Sequence, residues 1–140
     1  MARTTTLSNN PLHVAMIVDD DAILRYALCR IVQRAGWVAC EAANGEEATA
    51  LCPQMQPRVI LLDLQMPVKD GFETCADLRA DAACRHALIF AISGSPHSAV
   101  EDRALRSGFD LFLLKPIDEP LLHMLLANAA RTSGPASTAS

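Results

Sequence analysis

The stretch VILLDLQMPVKDG, residues 59–71, consists of four aliphatic residues running into an acid, followed by a Met-Pro loop and an Asp-Gly pair. Val59 to Leu62 is too apolar for an edge strand, so it predicts a strand covered on both faces, as in a parallel sheet between two helical layers. Asp63 then stands at the carboxyl end of that strand. A carboxylate placed directly after four buried aliphatics is costly unless a cation lies near it.

The same punctuation recurs on either side. Asp19 and Asp20 follow the apolar run Val14 to Val18, Ser93 follows Leu88 to Ile92, and Lys115 follows Phe109 to Leu114. Trp37 to Glu41 predicts a further strand, one with no polar residue of this kind at its end. Between the strands, helical spacing predicts helices over about Ala22 to Ala35, Asn44 to Leu51, Asp70 to Arg79, Pro96 to Ser107 and Asp118 to Arg131. Asp20 or Asp21 is placed to cap the first, which Gly36 ends, and Pro53 is expected to stop the second. Five alternations of strand and helix predict an α/β fold with a doubly wound parallel sheet. In such a sheet ligands bind just beyond the carboxyl ends of the strands, where residues far apart in sequence converge.

A chain of 140 residues, 51% of them apolar, is one domain's worth. Residues 12–131 carry the folded pattern, whereas 1–11 and 132–140 have the composition of disordered ends. A net charge of −4 argues against a nucleic-acid partner, and the lack of a long apolar run argues against a membrane and for a cytoplasmic protein. The five cysteines (Cys29, Cys40, Cys52, Cys75, Cys84) form no CxxC and are expected to be reduced, buried thiols.

Three carboxylates, a hydroxyl and an ammonium converging at one sheet edge suit phosphoryl transfer to an aspartate. An acyl phosphate on Asp63 needs a divalent cation against the incoming oxygens, and Mg²⁺ takes six oxygens at about 2.1 Å, usually one or two carboxylates and several waters. Asp63 and Asp20 are suited to be direct ligands. Asp21 reads mainly as a helix cap.

In these motifs the chain resembles the receiver domain of two-component response regulators, the CheY-like superfamily. The resemblance rests on Ile17 to Asp21, Glu41 to Ala48, Leu61 to Gly71 and Phe112 to Pro116, in that order, with 30 residues from Asp63 to Ser93 and 22 more to Lys115. It implies a flavodoxin-like (βα)5 three-layer sandwich with strand order 2-1-3-4-5, and a phosphoacceptor at Asp63 that takes its phosphoryl group from a histidine kinase or histidine phosphotransfer protein. It further implies Mg²⁺ held by Asp20, Asp63 and the Gln65 backbone carbonyl, a metal-bound water on Asp19, a cis peptide before Pro116, and Ser93 and Phe112 as the switch pair. Such a module is not an enzyme beyond its own phosphorylation and dephosphorylation. Two positions depart from the family pattern: Ser93-Gly94 stands where threonine and alanine are usual, and Phe112 where tyrosine is usual. The loss of a β-branch at 93 and the freer backbone at Gly94 loosen the coupling between phosphate and switch.

Charge-assisted hydrogen bonds from Ser93 and Lys115, roughly 1.5 to 3 kcal/mol each, together approach the 5.5 kcal/mol or so that a near-complete two-state shift requires. Two other readings stay open: a small Mg²⁺-dependent phosphohydrolase using Asp19-x-Asp21, and a pseudo-receiver that only binds partners. In the last helix, apolar residues from Leu121 to Ala129 spread over about 200°, twice what one packing stripe needs. Met124 and Leu126, at its two margins, are therefore expected to lie partly in water and meet a kinase, a phosphotransfer protein, a downstream target or a second copy of the chain.

Overall fold

The computed structural model describes residues 13–132. The expected disordered ends, 1–11 and 132–140, lie outside those residues except for Thr132. Five strands alternate with five helices: β1 (Val14–Val18), α1 (Ala22–Arg34), β2 (Val38–Ala42), α2 (Gly45–Met55), β3 (Val59–Asp63), α3 (Gly71–Ala80), β4 (Leu88–Ser93), α4 (Ser98–Arg106), β5 (Leu111–Leu114) and α5 (Glu119–Arg131). All strand pairs are parallel, and the order is β2-β1-β3-β4-β5, as the resemblance implies.

Successive side chains of a strand point to opposite faces, so each buried strand feeds two cores. Ala15, Ile17, Val59, Leu61, Phe90 and Ile92 pack with α1 and α5 through Leu28, Val32, Leu122 and Leu126. Met16, Val18, Ile60, Leu62, Ile89 and Ala91 pack with α2, α3 and α4 through Ala48, Cys52, Cys75, Leu78 and Ala104. The register that puts Leu62 beside Val18 and Ala91 also brings Asp19, Asp63 and Ser93 to one edge.

Side chains set the helix starts. Asp21 caps α1 by accepting from the Ile23 and Leu24 amides, Asn44 caps α2, Asp118 caps α5, and Asp70 forms a reciprocal capping box with Glu73 at α3. Two helices start where only glycine fits. A Cβ on Gly71 would lie 2.7 Å from the Leu64 Cα, and Gly45 is pressed onto the Thr74 side chain, so α2 and α3 sit directly against the end of β3 and each other.

Four expectations need correction. Pro53 does not stop α2: the helix continues to Met55 and closes at Gln56, whose backbone is left-handed at φ 47° and whose amide donates to the Cys52 carbonyl. A proline in the last turn removes only one ladder bond, and its fixed φ still suits a helix. The strand after α4 begins at Leu111 rather than Phe109, because Phe109 is buried edge-on against Phe72 and the Asp110 side chain takes the Ile89 amide. Cys52 and Cys84 are brought together as a disulfide-forming pair, not left as isolated thiols. Finally, Leu126 is fully buried, as is Leu122, while Met124 is 55% exposed. The α5 stripe that meets the sheet and α1 is Leu122, Leu126 and Ala129, so the spare apolar arc lies only on the Leu121 and Met124 side.

Candidate functional site

The site is built from the ends of β1, β3, β4 and β5. Past β1, the Asp19 amide donates to the Ala42 carbonyl at 3.2 Å, which carries the ladder one rung further and fixes the backbone. Arg25 holds the same turn from α1, donating to the Asp19 carbonyl at 2.7 Å and pairing with Glu41 at 2.9 Å. The Asp19 Oδ1 accepts from the Asp21 amide at 2.8 Å. Its Oδ2 is buried and has no hydrogen-bond partner; the nearest cation, Lys115 Nζ, is 3.7 Å away.

Asp63 is 2% exposed. Its Oδ1 accepts from the Gln65 amide at 3.0 Å, and its Oδ2 faces Lys115 Nζ at 3.4 Å. Burial pushes the Asp63 carboxyl up to about 6; the Gln65 hydrogen bond opposes this, the neighbouring Asp19 charge adds to it, and Lys115 opposes it. One carboxylate oxygen from each of Asp19, Asp20 and Asp63 lies within 4.8 Å of the others. Asp19 and Asp63 form the buried floor and Asp20 the exposed rim. Three carboxylates against one ammonium leave an excess of negative charge, and one oxygen is buried without a donor. Both observations fit a hard divalent cation held by oxygens.

The other expected residues take distinct places. Ser93 is fully buried at the end of β4, where its Oγ accepts from the Ser95 amide at 3.0 Å. Its carbonyl accepts from the Lys115 amide at 2.8 Å. The Lys115–Pro116 peptide is cis, as the resemblance implies. Phe112 is half-buried on β5 beside Ala91 and packs on the core formed with α2, α3 and α4. Gln65 is placed by its amide against Asp63, with its side chain exposed. Asp21 is engaged at the α1 cap by two hydrogen bonds, which leaves it poorly placed as the acid of an Asp19-x-Asp21 hydrolase. Met124 and Leu126 lie on α5, away from the acids. Arg25 escaped the sequence reading, because its role depends on a turn that brings α1 back over the end of β1.

The model of the response regulator receiver domain family matches residues 15–127. The nitrate/nitrite response regulator protein NarL of Escherichia coli is 34% identical over 127 residues, 89% of this chain and 58% of that one. The chemotaxis protein CheY of Halobacterium salinarum is 28% identical over 105 residues, 75% of this chain and 86% of that one. The chain thus spans little more than half the length of NarL. Among solved structures, chemotaxis protein CheY4 of Vibrio cholerae superposes with a TM-score of 0.79 at 25% identity, over 85% of this chain and 99% of that one. The receiver domain of sensor histidine kinase PA1611 from Pseudomonas aeruginosa, solved with a magnesium ion in its active-site cleft, superposes at 0.78 with 20% identity, over 87% of this chain and all of that one. A further relative, RpaA of Synechocystis, 31% identical over 84% of this chain and 49% of its own length, is named as a DNA-binding transcriptional regulator. The expectation of no nucleic-acid partner is therefore narrowed to the 140 residues of this chain, whose net charge is −4, and does not extend to a longer protein carrying such a domain. No described helix is long and apolar enough to cross a membrane.

Proposed function

The chain belongs to the response regulator receiver domain family of two-component signalling, and on that premise we propose that Asp63 is its phosphoacceptor. The observation that carries this reading is the state of the Asp63 carboxylate: buried, raised to about 6, and facing a lysine across a gap that an unpartnered Asp19 oxygen also borders. Asp20 and Asp63, with the Gln65 carbonyl, would hold Mg²⁺, and Asp19 would support it from the buried floor; when bound, the ion would supply charge neutralisation for the transferred group. An Asp63 oxygen attacks the phosphorus of a phosphohistidine on a histidine kinase or phosphotransfer protein. The P–N bond breaks and the imidazole leaves. Lys115 holds the product by a charge-assisted bond and Ser93 by a second, and Phe112 moves as the end of β4 is drawn inward. Met124 is the part of the expected α5 contact face that stays open to a partner.

The test is incubation with Mg²⁺ and a small acyl-phosphate donor, read by intact-protein mass. One phosphoryl group is expected on the native chain and none on Asp63→Asn. A full mass shift in Asp63→Asn sinks the assignment, whereas the shift in Asp19→Asn is expected to be reduced, not abolished.

A further inference from the structure

Nothing in the spacing of the five cysteines pairs them, yet the fold does. Cys52 lies in the last turn of α2 and Cys84 in the turn between α3 and β4; both are fully buried, and their Cα atoms are 6.2 Å apart, a separation that a disulfide spans. The other three sulfurs have no such partner. Cys75 is directed at the Ser107 carbonyl at 3.8 Å, and Cys29 and Cys40 are free and buried, with burial pushing both thiols up, Cys29 to about 11.

We infer that Cys52 and Cys84 are a redox-modification site, a thiol pair that a peroxide-class oxidant converts to a disulfide joining the end of α2 to the turn before β4. One thiolate attacks a peroxide oxygen and the O–O bond breaks. Hydroxide leaves as water with a thiol proton, and a sulfenic acid remains. The second sulfur displaces its hydroxyl as a second water, and the S–S bond forms. Two thiols lose two protons and two electrons, and peroxide is reduced to two waters. A dithiol reverses the step.

The place of the pair defines its effect. Strands and helices run antiparallel, so the end of α2 and the start of β4 both lie at the opposite edge of the sheet from Asp63. The link closes a 32-residue span that contains β3, the loop after Asp63 and α3. The cross-link therefore braces the segment that carries the site without entering it. The turn that carries Cys84 borders a cleft. Ala83 and Ala87, on either side of Cys84, line a cleft of about 390 Å³ with Arg58 and His86. The turn is closed by the Cys84 amide on the Asp81 carbonyl at 3.0 Å and the Ala87 amide on the Cys84 carbonyl at 3.1 Å.

The experiment is thiol counting on the full chain, by maleimide labelling in denaturant and intact mass. Reduced protein is expected to take five labels and peroxide-treated protein three, with five restored by a dithiol. The tryptic peptide ending at Arg58 holds both Cys40 and Cys52, so fragmentation has to place the link to Cys84 on Cys52. The oxidised chain is expected to melt about 10 °C higher than the reduced one, and Cys52→Ala to take four labels with or without peroxide. Five labels after peroxide, a link through Cys40, or a disulfide-linked dimer instead of the internal link overturns the inference. If Cys52→Ala fails to fold, Cys84→Ala under the same labelling serves, with four labels again expected in both states.

Discussion

The two edges of the sheet treat charge in opposite ways. At the amino-terminal edge, Arg79 of α3 donates to the carbonyls of Arg85 at 2.9 Å, Ala87 at 2.6 Å and Gly108 at 2.7 Å, and to Asp110 Oδ2 at 2.8 Å. The same Asp110 oxygen accepts from the Ile89 amide at 2.8 Å. At the carboxyl-terminal edge, one lysine stands 3.4 and 3.7 Å from two buried carboxylates, and an Asp19 oxygen has no donor at all. The first edge is a closed network in which each group has its partner, so it can only stabilise. The second is stable only because the rest of the domain carries it, and such local conflict is what an incoming cation would relieve.

The contrast predicts unequal outcomes. Arg79→Ala opens the closed edge and leaves Asp110 and three carbonyls short of a donor. It is expected to lower stability in urea by about 1 to 2 kcal/mol, because the pair is partly exposed, while leaving Mg²⁺ affinity unchanged. An equal effect on both measurements would erase the division between the edges.

Asp63→Asn works in the other direction. The folded carboxyl holds its proton up to about 6, against 3.8 ordinarily, so it binds the proton more tightly than the unfolded chain does. Below pH 4 both states are protonated and the group costs nothing. Between about pH 4 and 6 the unfolded chain releases its proton first, and stability falls; above 6 the loss stays constant, at about 3 kcal/mol. Metal-free Asp63→Asn is therefore expected to become more stable than the native chain as pH rises through this window, and saturating Mg²⁺ to narrow the gap. Parallel stability profiles for the two proteins in chelator would contradict this.

A smaller effect separates neighbouring acids. Asp21→Ala removes the α1 cap at about 1 kcal/mol and is expected to spare Mg²⁺ binding, whereas Asp20→Ala spares stability and weakens the metal, followed by NMR titration. Smallest of all is Gly94→Ala. A Cβ there meets nothing within 4 Å, so the change is expected to be neutral or to stabilise by up to about 1 kcal/mol in thermal melts.

What the sequence made legible divides along the same line. β1, β3 and β4 could be read because buried strands are unbroken aliphatic runs, and the residues terminating them are the site itself. Asp21 could be read as a cap, and Asn44, Asp70 and Asp118 as places where helices begin, because helix starts are local chemistry. Leu126 could not: a wide apolar arc shows how much of a helix is greasy but not where the sheet and α1 meet it. The Arg79 and Asp110 network and the Cys52–Cys84 pair were equally hidden, since each joins loops whose approach is decided only when the layers close. Pro53 misled because a proline in a final turn removes one bond, which packing of α2 on α3 outweighs.

The rung between Lys115 and Ser93 has a mechanical meaning. With the amide of one 2.8 Å from the carbonyl of the other, these two residues have almost no play between them, as teeth of meshed gears have none. A displacement that begins at the serine reaches the lysine through the backbone before either side chain reorients. They act as one lever with two handles, and the energies lost in Ser93→Ala and Lys115→Ala will not add when both are made together.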